Sequence, residues 1–190
     1  MSDAMATGGN GDVVALLKAQ HEQVKQLFSD VSGSTGDSRR DAFECLVRLL
    51  AVHETAEEEV VYPAVKRSVD GGDAIVQARL QEEDSAKQML SDLEKIGPEG
   101  ERFETQLSAL QQAVLTHAEH EEQEVFPQLR AALDAETLSK MASSLETAEK
   151  MAPPHPHPHG PESAAGNIMV GPFVAVVDRV RDALRSGSKS

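Results

Sequence analysis

The chain has 190 residues, 18 Lys+Arg against 32 Asp+Glu, a formal charge of −14, one Cys, one Tyr, no Trp and 3% aromatics. That length fits one domain with extras or at most two small domains, and the acidic balance argues against nucleic acid and anionic membrane surfaces, both of which need clustered Lys/Arg. Cys45 has no partner for an internal disulfide, no apolar run is long enough to span a membrane, and the polar start at Met1–Gly11 lacks the apolar core of a signal peptide, so a cytoplasmic protein is expected.

Few aromatics and no strand-type alternation point to an all-α fold. Residues 1–11 read as a disordered lead, after which Asp12 is a helix N-cap. The first stripe is Val14, Leu17, His21, Val24, Phe28 and Val31, stepping by three and four. Ser32–Ser38 reads as a loop. A second helix is expected from about Arg39 to Val69, with the stripe Leu46, Leu50, His53, Glu57, Val60 or Val61, and Ala64. Cys45 lies next to that stripe and reads as a small core residue, and Pro63 should kink the helix rather than end it. Asp70–Asp73 stops one helix and restarts the next. The third carries Val76, Leu80, Glu83, Ala86, Leu90 and Leu93 and ends at Gly97-Pro98; the fourth starts near Glu99 and carries Leu107, Leu110, Val114, His117, Glu121, Val125 and Leu129. A short helical continuation covers Ala135–Lys150. Four amphipathic helices joined by short loops make an up-down-up-down four-helix bundle over 12–150. Residues 151–167 come next as a Pro/His-rich linker, in which His155, His157 and His159 alternate with Pro and read as stiff chain rather than a metal site. Residues 168–190 read as a C-terminal helix and tail, whose apolar stripe would dock on the bundle or bind a protein partner.

The chain carries an internal repeat. HETAEEEVVYP (53–63) matches HAEHEEQEVFP (117–127) at an offset of 64, with Tyr62 on Phe126. KQLFSDV (25–31) matches KQMLSDL (87–93) at an offset of 62, which sets His21 opposite Glu83. A duplicated helical hairpin results. Each copy has one inward polar residue on its first helix and an inward His-x-x-x-Glu on its second.

Residues four apart share one helix face. His53 with Glu57, and His117 with Glu121, therefore interrupt apolar stripes that face the interior, as do His21 and Glu83. Arg79 and Lys87 flank Glu83 at four residues and could pair with it. Burying unpaired carboxylates costs several kcal/mol per charge, roughly, which bound cations relieve. Three imidazoles and three carboxylates, with Glu57 and Glu121 bridging, provide for two metals with open positions for a small ligand. The mixed donor set suits Fe best, with Mn as the alternative.

These motifs resemble those of the hemerythrin-like proteins, which carry the HHE cation-binding domain. The resemblance covers about Asp12 to Leu133 and rests on His21, on His53-x-x-x-Glu57 with the following Tyr-Pro, and on His117-x-x-x-Glu121 with Phe-Pro. It implies a non-haem di-iron centre with two bridging carboxylates and chemistry on O2, peroxide or NO, or iron and oxygen sensing. The family's third helix usually supplies one or two His, whereas no His lies between His53 and His117 here. Glu82, Glu83 and Asp84 are at the right height, and repeat and stripe phase both select Glu83. One more carboxylate makes a harder site that favours the ferric state, so redox turnover is expected over reversible O2 carriage. The rivals are a non-enzymatic iron or oxygen sensor and a structural bundle without metal. Ferritin-like iron handling is disfavoured, because its Glu-x-x-His spacing differs.

Several neighbours compete for roles. Glu54 could reach the metal from the side, and Glu122 is the alternative to Glu121. His120 reads as a partly exposed residue of an acidic run. Tyr62 could be a phenolate ligand or a redox group, but its equivalence to Phe126 favours simple packing.

Overall fold

The computed structural model describes residues 11–151. The expected lead (1–11) apart from Gly11, the linker (151–167) apart from Met151, and the C-terminal helix and tail (168–190) lie outside the described residues.

Helix α1 (Val13–Gly33) starts at Asp12, whose carboxylate accepts a hydrogen bond from the Ala15 N–H at 2.8 Å. This satisfies one of the N–H groups left open at a helix start. Only Ser34 and Thr35 separate α1 from α2 (Gly36–Ala56), so the connection is tighter than the composition of 32–38 suggests. A π turn, Glu57–Val61, then leads into α3 (Tyr62–Ser68). After a turn at Gly71, in the left-handed region at φ 72°, come α4 (Gly72–Ile96) and α5 (Phe103–His120). A Cβ on Gly72 would stand 2.4 Å from the Val65 carbonyl oxygen, so only glycine lets α3 and α4 approach this closely. A second π turn, Glu121–Val125, leads into α6 (Phe126–Ala132), and α7 (Ala135–Met151) comes last.

The break expected at Pro63 takes the form of these π turns. In each, the aromatic residue before the proline donates its N–H five residues back, Tyr62 to the Glu57 carbonyl and Phe126 to that of Glu121. Pro63 and Pro127 then sit in the first turn of the next helix, where a missing N–H costs nothing. The wider turn also buries both Val60 and Val61, between which α-helical phase alone could not choose.

The sequence-derived stripes face inward as expected, with the exception of half-buried Leu80. The helical continuation expected over Ala135–Lys150 is present and runs to Met151. It forms a 17-residue helix, α7, capped by the Asp134 carboxylate on the Thr137 N–H at 2.8 Å. It packs on α1, α2 and the first π turn through Leu138, Met141, Ala142, Leu145 and Ala148. Cys45 is exposed, not core: it lies about 100° round the helix from Leu46 and points outward. No helix among the described residues is long and apolar enough to cross a membrane.

The interior is layered. One apolar cluster, with Leu17, Val61, Phe126, Leu129 and Leu145, fills the α7 end. A second, with Phe28, Leu46, Leu93, Phe103 and Leu110, fills the other. His21 lies between Leu17 and Val24, and Glu83 between Val76 and Ala86, so a polar layer separates the two clusters.

Candidate metal centre

All six sequence-predicted residues meet in that layer and are buried, with Glu57, Glu83 and Glu121 at 1% exposure or less. Their donor atoms form two sets, each within 4.8 Å: His21, His53, Glu57 and Glu121 in one, and Glu57, Glu83 and His117 in the other. Glu57 belongs to both. Glu121 Oε2 stands 3.4 Å from His21 Nε2 and 3.6 Å from His117 Nε2, so it too lies between the halves. His53 Nε2 is 3.3 Å from Glu57 Oε2. All three imidazoles aim Nε2 inward. The i, i+4 spacing sets each His and Glu on one face, and each π turn begins at the glutamate.

An outer ring of acceptors holds these imidazoles. Each Nδ1–H donates outward: His21 to Glu122 at 2.9 Å, His53 to Gln20 Oε1 at 2.7 Å, and His117 to Glu82 at 3.0 Å. Donation at Nδ1 leaves the Nε2 lone pair free for a cation. Glu122, the alternative to Glu121, is therefore the partner of His21. Glu82 is the partner of His117, and Asp84 is exposed. Glu82 is itself held by Arg79 and His120, both at 2.8 Å. Arg79 thus pairs with Glu82 rather than with Glu83, and His120, with its side chain 39% exposed, sits in this outer ring. Gln20 escaped the sequence reading, yet the repeat marks it: the offset of 62 that sets His21 on Glu83 sets Gln20 on Glu82.

Simple packing does not describe Tyr62. Its hydroxyl donates to Glu83, and it lies 3.0 Å from Glu121 Oε1. Its equivalent Phe126 stacks on His21, with centroids 5.8 Å apart and planes at 16°. The two differences compensate: where the repeat exchanges His21 for Glu83, the facing ring exchanges a bare phenyl for a hydroxyl donor. The equivalence of Tyr62 and Phe126 holds for position but not for chemistry, because their partners differ.

The site is short of positive charge. Both oxygens of Glu57, Glu121 Oε2, His21 Nε2 and His117 Nε2 are buried without a hydrogen bond among the described residues. Burial, then the charges of Glu121 and Glu83, push the Glu57 carboxyl well above its usual range. Burial also lifts Glu83, with Glu54 and Glu58 adding to it. Glu121 goes the other way: burial raises it, but His117 and His21 outweigh that and hold it down to about 2. Burial pushes His53 down to about 3. His21 also feels burial, but Glu121 and Glu122 overcome it and raise its pKa. Among the described residues the ammonium close by is Lys87, which pairs with Glu58 at 2.5 Å and stands 3.4 Å from Glu83 and 3.7 Å from Glu54. Burial pushes Glu54 up to about 8 despite that lysine, and Glu54 belongs to neither donor set. Buried, inward-facing carboxylate oxygens and imidazole nitrogens without partners fit a cation of the first transition row. A cavity of about 20 Å³ adjoins the site, between His21, His53, Glu54 and His117 on one side and Leu50 and Val114 on the other. It has room for a species the size of one water.

Comparison with known proteins gives the family and the fold. The family profile of the hemerythrin HHE cation binding domain matches residues 12–129. An uncharacterized hemerythrin-like protein of Schizosaccharomyces pombe is 31% identical over 134 residues, covering 70% of this chain and 66% of that protein. A DNA nickase of Nostoc is 27% identical over 135 residues, covering 70% of this chain but 38% of its own length. The match thus spans just under two thirds of the yeast protein and little over a third of the cyanobacterial one. In fold, the chain is similar to the crystal structure of a hemerythrin HHE cation binding domain-containing protein from Mycobacterium kansasii. The TM-score is 0.65 at 18% identity, over 90% of this chain and 99% of that one. The all-α bundle with its buried layer of His and Glu belongs to the hemerythrin HHE cation-binding family.

Proposed function

We propose that the chain binds two iron ions through His21, His53, Glu57, Glu83, His117 and Glu121, with Mn as the alternative metal. The observation that carries this is the pair of buried donor sets that share Glu57 and lack hydrogen-bonding partners on their inward atoms. His21 and His53 would serve one ion and His117 and Glu83 the other, with Glu57 and Glu121 between them. Glu122, Gln20 and Glu82 hold the imidazoles in the tautomer that presents Nε2. Tyr62 holds Glu83 by donating its hydroxyl proton. Bound iron would supply one-electron redox chemistry to a small ligand such as O2, peroxide or NO. Leu50 and Val114 form an apolar wall of the adjoining cavity.

Within that reading we favour redox turnover over reversible O2 carriage. The support is the donor balance, three imidazoles against three carboxylates, which favours the higher oxidation state. The chain's charge of −14 opposes binding to a phosphate backbone.

Metal analysis of protein made without an affinity tag tests the proposal. About two Fe per chain are expected, with a near-ultraviolet charge-transfer band, and about one or fewer in Glu57→Ala or Glu121→Ala. A wild-type chain that takes up no Fe(II) under anaerobic refolding would sink it. Consumption of peroxide or NO by the loaded protein separates turnover from sensing.

A further inference from the structure

Gln20 differs from its repeat equivalent in a way that draws α7 into the site. His117 donates directly to a carboxylate, Glu82. His53 instead donates to the carbonyl oxygen of the Gln20 amide, and a carboxylate appears one residue farther out, where the Gln20 amide NH2 donates to Glu149 of α7. Glu149 lies outside the repeat, on the helix added after it, and 129 residues from Gln20. Gln20 is 7% exposed, so water offers its amide few alternatives.

The chemistry of the chain fixes its direction. An ionised carboxylate can only accept. Glu149 must therefore face the NH2 of Gln20, which turns the carbonyl oxygen toward His53. That oxygen can only accept as well, so His53 must carry its proton on Nδ1, and Nε2 keeps its lone pair toward Glu57. Without Glu149, the amide is free to turn over and offer its NH2 to His53 Nδ1. The imidazole would then carry its proton on Nε2, which cannot bind a cation.

We propose that Glu149 is a positioning residue for His53, acting through Gln20, so that docking of α7 and metal binding at His53 are linked. The linkage rests on the metal reading given above and extends it: α7 becomes a part of the protein through which the site's affinity is set. By reciprocity, a cation at His53 holds α7 down by the same factor by which docked α7 strengthens the cation's binding.

The test compares the wild type with Glu149→Leu, Glu149→Gln and Lys140→Ala. A glutamine at 149 still offers an accepting carbonyl. Lys140 is an exposed residue of α7 paired with Glu136, roughly two and a half turns before Glu149, and controls for loosening of the helix. In the metal-free proteins, nitrogen-15 NMR of the histidines reads the His53 tautomer. Co(II) titration then reads affinity by its visible absorption. The Nδ1–H form should dominate in the wild type, E149Q and K140A. In E149L it should give way to a mixture, with Co(II) affinity about tenfold weaker, while E149Q and K140A stay within about twofold of the wild type. Should E149L fail to fold, E149A removes the same acceptor and carries the comparison. An E149L protein with wild-type tautomer and affinity overturns the proposal, as does a K140A protein that loses as much affinity as E149L. A wild-type chain that takes up neither Co(II) nor Fe(II) sinks the metal reading and the linkage together. A wild type that binds metal no more tightly than E149L does sinks the linkage alone.

Discussion

At Glu57, both carboxylate oxygens are buried and unpartnered, beside Glu83 and Glu121. The metal-free protein answers this crowding with protons, so its stability depends on pH. Glu54, at about 8, and Glu57 and Glu83, both raised, hold protons in the folded chain that the unfolded chain has lost above about pH 4.5. His21, raised above 6.5, does the same once the unfolded imidazole has let go. His53, at about 3, is neutral in both states above pH 6.5, and Glu121, at about 2, is ionised in both. Between pH 6.5 and 8 the folded state therefore binds more protons, and stability falls as pH rises. Each proton retained across that window contributes on the order of 1–2 kcal/mol. Calorimetry of the metal-free protein should show a melting temperature that drops from pH 6.5 to 8. In the metal-loaded protein, where cations replace those protons, the slope should vanish or reverse. A metal-free protein whose melting temperature is flat or rises over that range would contradict the protonated carboxylates.

At this scale the six inward residues were legible, because each breaks an apolar stripe at the same height and the repeat shows it twice. The tuning groups were less so. Tyr62 reads as packing until its partner is known to be Glu83 rather than a second histidine. Gln20 looks like one more polar residue on the α1 surface until α7 covers it.

Among the elements, the π turns at Glu57–Val61 and Glu121–Val125 do the aiming. A π turn holds one residue more than an α turn, so each residue after it takes the direction its predecessor would have in an unbroken α-helix. His53 and Glu57 lie before the extra residue, and Tyr62 after it. Inserting one alanine between Val61 and Tyr62 should rotate the helix beyond it and swing Tyr62 about 100° away from Glu83, with His53 and Glu57 left in place. The expected protein keeps its helical circular dichroism but binds Fe(II) or Co(II) about 10- to 100-fold more weakly, as removal of a supporting partner does elsewhere. Unchanged affinity would show that the register after the turn is irrelevant to the site. The sequence hinted at these turns through Pro63 and Pro127 and through the adjacent Val60 and Val61, neither of which a single α-helical stripe could choose. It could not specify a π turn over a kink, since both satisfy a proline without an N–H.

Across the whole molecule, the polar layer ties together α1, α2, α4, α5 and the two π turns between two apolar clusters. Two cations bound there would between them join all four of these helices and bind only the folded chain. Mass action then adds stability that grows with free metal, about 4 kcal/mol at a thousand times the dissociation constant. Loading with Fe(II) under anaerobic conditions should raise the melting temperature by several degrees or more, and a chelator should return it. A melting temperature indifferent to metal would leave the bundle as a structural one with a protonated core.

The sequence by itself determined everything periodic or duplicated. The apolar stripes define four helices, the repeat makes them two hairpins, and the stripe breaks name His21, His53, Glu57, Glu83, His117 and Glu121. Those signals are local, carried by residues three and four apart. The tertiary structure decided everything that depends on contacts far along the chain: that Glu122 serves His21 across 101 residues, that Glu149 reaches Gln20 across 129, and that α7 packs on α1 and α2. It also decided that Arg79 goes to Glu82 while Lys87 goes first to Glu58 and stands farther from Glu83. A stripe fixes the direction in which a side chain leaves its helix. Which group it meets is set by the rotation and height of the facing helix, and these depend on the packing of the whole core.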